Sequence, residues 1–253
     1  MKHEIKDKIV GWLSARCEEA GSEGFVIGVS GGVDSALTST LCAYTDKQVI
    51  VVGMPIHQEK SQVSRSQNHM DWLCGKFSNV KQVTFDLTEA FEVFKRDTRC
   101  NSELALANAR SRMRMVALYS IANTNNVLVA GTGNKVEDYG VGFFTKYGDG
   151  GVDVSPIADL LKSEVRELAA DLGVIPEVVE AVPTDGLWGD NRSDEQQIGA
   201  TYEELEWALE YYDSHKDDAS GLNERQKEVL SLYKERHMAN KHKLLTPPVC
   251  FLG

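Results

Sequence analysis

Residues 25–39, "FVIGVSGGVDSALTS", constrain the fold more than any other stretch of the chain. A short apolar run stops at a serine and a glycine pair, and helical spacing begins at once. A strand feeding a helix through so tight a turn is the opening unit of a parallel α/β sheet. The pattern then repeats. "QVIVVGM" (48–54), "VKQVTFDL" (80–87) and "NVLVAGTG" (126–133) read as further strands. Helical spacing covers 3–20, 34–44, 60–76, 87–96, 102–124, the end of "SPIADLLKSEVRELAADLG", 201–214 and 223–240. Strands alternating with helices predict a parallel sheet covered on both faces, with additional C-terminal helices. Ligands bind such sheets beyond the carboxyl ends of the strands. The glycine-rich loops 30–35 and 131–151 both lie at such ends.

Composition narrows the function classes. No apolar run approaches the roughly 20 residues of a membrane span, and "MKHEIKDKIVGWL" has no signal-peptide core, so a soluble cytoplasmic protein is expected. Net charge is -11 over 253 residues, which disfavours a nucleic-acid binder. The five cysteines, Cys17, Cys42, Cys74, Cys100 and Cys250, form no CxxC pair. They suggest neither a zinc site nor a disulfide framework, and Cys17 and Cys42 read as core fillers.

Three motifs compete for the first loop. A Walker A count from Gly28 puts Val33 and Asp34 where glycine and lysine belong, and GxGxxG cannot be placed. "GVSGG" (28–32) matches the GxSxG nucleophile elbow, but that elbow follows several strands of its sheet, and here the first strand precedes it. An anion cradle remains. Gly28, Ser30, Gly31, Gly32, Val33 and Ser35 would present backbone N–H groups and hydroxyls at a helix N-terminus. Asp34 either caps the helix or joins a divalent cation to a bound phosphate.

SGGxDS after the first strand resembles the signature of the PP-loop ATP pyrophosphatases. That resemblance implies a Rossmann-like, adenine nucleotide alpha hydrolase-like fold and cleavage of ATP between its α and β phosphates. Within the group, "GTGNKVEDYGVGFFTKYGDGGVDVSPIADLLKSEV" (131–165) resembles the central block of NAD synthetases. "ARSRMRM" (109–115), "PTDGLW" (183–188), "DEQQIGATY" (194–202) and "HKLLTPP" (242–248) match flanking blocks in order.

The resemblance implies site residues. Asp34 and Glu137 would share Mg2+. Thr132, Lys162 and Thr184 join the first loop as ATP contacts. Arg112, Lys146, Asp153, His242 and Lys243 match positions that bind deamido-NAD, Arg112 across a dimer interface. Asp149 is placed to hold and deprotonate ammonium, so Asp34, Asp149 and Lys162 are the catalytic set. Arg110, Arg112 and Arg114 alternate along one helix and cannot all face one way.

The implied reaction is amidation of deamido-NAD to NAD through an acyl adenylate, with release of AMP and pyrophosphate. With the first strand starting at Phe25, the whole chain, 1–253, is expected to be one synthetase domain without an amidase domain. The expected donor is free ammonia, a separate glutaminase subunit being the other source. Other adenylating amidotransferases and tRNA-modifying enzymes share the first loop; net charge and scattered cysteines disfavour the latter. Three departures stand out. Gly53 replaces an ATP-contacting arginine, "GTGNKVE" replaces "GTDHAAE", and one residue is inserted before "GFFTKYGDGG". The aperiodic loop 183–200 is expected to order over the substrates.

Overall fold

A computed structural model describes residues 2–184, 193–216 and 218–252. After the helix α1 (Lys2–Glu19), β1 (Gly24–Gly28), α2 (Val33–Ala43), β2 (Gln48–Gly53), α3 (Lys60–Lys76) and β3 (Val80–Thr84) alternate. Helices α4 (Thr88–Thr98) and α5 (Glu103–Asn125) lead to β4 (Val127–Val129). The strands form one parallel sheet in the order β3-β2-β1-β4, as the alternation predicts. A parallel bridge from Ala130 to Val154 extends it beyond β4.

Pleating sorts the strand side chains to opposite faces. Phe25, Ile27, Val49 and Val51 meet Leu13, Cys17, Leu37, Leu41 and Cys42 on one side. Val26, Ile50 and Val52 meet Met115, Leu118 and Ala122 of α5 on the other. Burial on both faces makes β1 and β2 continuous apolar runs rather than alternating ones. β3 is an edge strand, with only Val80 of its five residues buried, and this accounts for its imperfect alternation. Cys17 and Cys42 are core fillers, as expected.

Between β4 and the C-terminal helices lies the part that periodicity missed. Lys135–Val141 forms a π-helical segment. Its wider turn takes one residue more than an α-helical turn, and it coincides with the extra residue noted before "GFFTKYGDGG". α6 (Lys162–Asp171), α7 (Pro176–Val179) and α8 (Asp194–Ile198) follow, and then α9 (Tyr202–His215) and α10 (Glu224–Leu244). Val136 and Val141 of the π segment pack with Leu205, Leu209, Val229 and Tyr233 of the last two helices. The C-terminal helices therefore fix the loop after β4 at the end of the sheet where ligands bind. Among the described residues, no helix is long and apolar enough to cross a membrane.

Candidate active site

The order of strand addition reverses at β1, flanked by β2 on one side and β4 on the other, and a crevice opens beyond the strand ends there. The loop after β1 forms its floor. Gly31 has φ +86, and a Cβ on it would lie 2.7 Å from the Gln62 carbonyl oxygen, so only glycine fits between this loop and α3. Ser30 and Ser35 hydroxyls lie 3.1 Å apart, and Ser35 donates to the Gly32 carbonyl at 2.9 Å. No side chain caps α2. Its first residues, Val33, Asp34 and Ser35, line the crevice, and an uncapped helix N-terminus is a place that favours an anion. Asp34 is therefore not the helix cap.

Asp34 and Glu137 come from neighbouring strand ends and converge on one cation. Lys162 Nζ donates to Asp34 Oδ2 at 2.5 Å and to Glu137 Oε1 at 2.8 Å. Its side chain is 3% exposed. Burial by itself would neutralise the lysine, but the two carboxylates hold its pKa above the ordinary range. Burial and the neighbouring Glu137 push Asp34 up. In Glu137 burial is outweighed by Lys162 and by hydrogen bonds, and its pKa falls.

Other groups hold the two acids in place. Asn134, fully buried, donates to Asp34 and accepts from the Val136 and Glu137 amides, capping the π segment. The Tyr202 hydroxyl donates to Glu137 and lies 3.3 Å from Asp194 Oδ2. Burial and these charges raise its pKa far above that of ordinary tyrosine, so it remains a donor.

Asp149 lies in the same crevice. Its Oδ1 accepts from the Ser111 hydroxyl at 2.5 Å and the Thr145 amide at 3.0 Å. Burial raises its pKa, and these two bonds partly oppose the rise.

The crevice gathers all the residues expected to contact ATP, namely Gly28, Ser30–Ser35, Thr132, Lys162 and Thr184, together with Glu137 and Asp149. Arg65 and Arg114 also line it. Arg114 Nε donates to the Met54 carbonyl at 3.0 Å, beside the Gly53 position. A Cβ on Gly53 would already press on Thr84 and Met70.

The residues expected at the dinucleotide do not line this crevice. Four of them form a second group. Arg112 Nε donates to the Lys146 carbonyl, and Lys146 Nζ to the carbonyls of His242 and Leu245. Lys243 Nζ donates to the Gly142 and Phe144 carbonyls. Asp153 stands apart, accepting from the Tyr119 hydroxyl and the Val129 amide. The three arginines do diverge: Arg110 stacks 4.8 Å from the Phe91 ring centroid, while Arg112 and Arg114 take the partners just given. Of the stretch 183–200, expected as one loop, residues 185–192 lie outside the described residues, and Asp194–Ile198 is instead the helix α8, capped by Ser193. Pro183, Thr184 and Asp194, on either side of 185–192, line the crevice.

Asn134, Tyr202, Ser111 and Arg114 carry contacts that periodicity did not assign. Only Asn134 had a local signal, an N-cap residue ahead of a helical turn.

Residues 5–247 match the family model of NAD synthase. The NH3-dependent NAD+ synthetase of Mesoplasma florum is 38% identical over 208 residues, 80% of this chain and 82% of the relative. That of Methanocaldococcus jannaschii is 35% identical over 251 residues, 97% of this chain and 95% of its own. The solved NMN synthetase of Francisella tularensis superposes with TM-score 0.86 at 31% identity, covering 99% of this chain and 98% of the other. With the strand-end acids and the glycine cradle in one crevice, and with the family model matched over residues 5–247, the chain belongs to the NAD synthase family.

Proposed function

We propose that the chain is an ammonia-dependent NAD+ synthetase, a C–N ligase that amidates deamido-NAD at the expense of ATP. The observation that carries this reading is the convergence of Asp34, Glu137, Lys162 and Asp149 on one crevice floored by the SGG loop.

In the first step the nicotinate carboxylate attacks the α-phosphorus of ATP, and the bond to the β-phosphate oxygen breaks. Pyrophosphate departs toward the loop at Ser30–Val33 and the start of α2, and Lys162, Arg65 and Arg114 supply positive charge around it. Arg65 and Arg114 take over the role of the arginine missing at Gly53. In the second step ammonia attacks the acyl carbon and AMP leaves. Ammonia is mostly ammonium near neutral pH, so Asp149 first accepts a proton from it. A carboxylate whose pKa burial has raised suits that task. The rate enhancement comes mainly from positioning and charge neutralisation.

The donor set suits Mg2+. Among the described residues no three His, Cys, Asp or Glu side chains cluster as a metal centre. Asp34 and Glu137 offer two hard carboxylates, and Mg2+ characteristically binds one or two carboxylates plus substrate phosphates. Bound there, the ion would neutralise charge building on the phosphates.

Arg112, Lys146, Asp153, His242 and Lys243 are assigned to deamido-NAD. The reading includes a homodimer in which Arg112 serves the partner's site. Free ammonia suffices as donor, residues 1–253 act as one domain, and the enzyme is cytoplasmic. A second reading, amidation of the mononucleotide acid, is favoured by the likeness to the NMN synthetase.

The deciding assay supplies ATP, Mg2+ and deamido-NAD with either ammonium or glutamine, and runs the mononucleotide in parallel. NAD formation with ammonium is expected. Formation of NAD from neither donor overturns the assignment, and preference for the mononucleotide moves it to the second reading.

A further inference from the structure

Lys162 Nζ stands between the two carboxylates assigned to the metal, 2.5 Å from one and 2.8 Å from the other. Any cation shared by Asp34 and Glu137 needs that same space. A divalent ion and an ammonium cannot occupy it together, because like charges at contact distance in a buried site repel strongly. Lys162 is the first residue of α6, and four rotatable carbons carry its charge. The SGG loop, where phosphates would bind, lines the same crevice.

We propose that Lys162 is a displaceable stand-in for the divalent cation. In the empty enzyme its ammonium neutralises Asp34 and Glu137 and keeps the metal out. Nucleotide brings the metal in and offers Lys162 phosphate oxygens in exchange. Metal and nucleotide therefore bind with positive coupling, and by linkage each tightens the other by the same factor. The inference rests on Asp34 and Glu137 being the metal ligands. If Lys162 were a fixed structural ion pair instead, removing it would loosen the fold without improving metal binding.

The test titrates the full chain with MnCl2 and follows free Mn2+ by electron paramagnetic resonance. It compares wild type with Lys162→Met, each with and without α,β-methylene-ATP. Without nucleotide the variant is expected to bind Mn2+ about tenfold tighter than wild type, a coupling in the usual range. Its dependence on nucleotide should shrink by the same factor. Equal Mn2+ affinity in the two nucleotide-free proteins, with normal binding by wild type once nucleotide is added, overturns the stand-in role alone. Binding by wild type plus nucleotide that is unaffected by Asp34→Asn overturns the metal reading and this inference with it. Should Lys162→Met fold poorly, Lys162→Gln is followed by thermal melting. Mn2+ alone should raise its Tm and leave wild type unchanged, and an equal response overturns the proposal.

Discussion

The side-chain amide of Asn134 reaches Asp34 Oδ1 at 3.0 Å, joining the loop after β4 to the first turn of α2, 100 residues away in the chain. The same side chain caps the π segment through its oxygen. Its two roles separate by substitution. Asn134→Asp keeps the capping acceptor but sets a second carboxylate against Asp34. It should melt near wild type when protonated and lose most ATP turnover. Asn134→Ala loses the cap as well, which costs about 1–2 kcal/mol and lowers Tm by about 3–6 °C.

Tyr202→Phe removes a donor from Glu137 while keeping the ring. Partners that orient a metal ligand typically contribute about 10–100-fold to affinity or activity. The Mg2+ concentration for half-maximal rate should rise by about tenfold, with an unchanged circular dichroism spectrum. An unchanged Mg2+ requirement would show that Glu137 needs no such support.

Gly31 and Gly32 should respond differently to alanine. At Gly31 the left-handed φ and a Cβ 2.7 Å from the Gln62 carbonyl oxygen leave no room, a strain of about 1–3 kcal/mol. At Gly32, φ is -97 and the nearest contact is 3.4 Å, to the Ser30 hydroxyl. Gly31→Ala should lower Tm and weaken binding of an ATP analogue in calorimetry, whereas Gly32→Ala should keep its Tm.

Ser111→Ala deprives Asp149 of a hydrogen bond that favours its ionised form. The carboxyl pKa then rises further, so the base is protonated at higher pH. The acid limb of the rate profile should move upward in pH, and kcat/KM for ammonium should fall about tenfold or more, since hydrogen bonds to charged groups are worth about 1.5–3 kcal/mol. KM for ATP should stay constant.

Acid should weaken the fold through His69. Its ring is buried and stacks on Trp72, and Nε2 lies 3.0 Å from the Ser39 hydroxyl. Burial lowers its pKa to about 4 from 6.5. The unfolded chain therefore takes up a proton before the folded one does, and stability rises with pH between those values. The contribution is complete above about pH 6.5 and falls as pH drops toward 4, by about 2 kcal/mol at pH 5. Thermal melts of wild type and His69→Gln at pH 7 and pH 5 should show a smaller pH effect in the variant.

What the sequence disclosed depended on locality. β1, its glycine loop and α2 were legible because each is dictated by neighbouring residues: an apolar run, a turn only glycine fits, and helical spacing. Glu137 was legible only through its surrounding block. The bonds that unite the site run between distant segments. Lys162 pairs with Asp34 across 128 residues, and Lys146 with His242 across 96. By periodicity Lys162 is an ordinary polar residue at a helix start, and nothing local tells that two carboxylates will surround it. The π segment was missed because its period is neither that of a helix nor that of a strand.

The sheet order has a consequence for how the enzyme comes into being. β1 meets β2 after a short excursion of chain and matches it over five residue pairs, but it meets β4 over three, with α2 through α5 strung between them. Closing that long loop is the entropically demanding event, and the meeting of Asp34 and Glu137 on Lys162 waits for it. Nucleotide affinity should therefore emerge late during refolding, after most helical signal has returned. A fluorescent ATP analogue in stopped flow would time that closure directly.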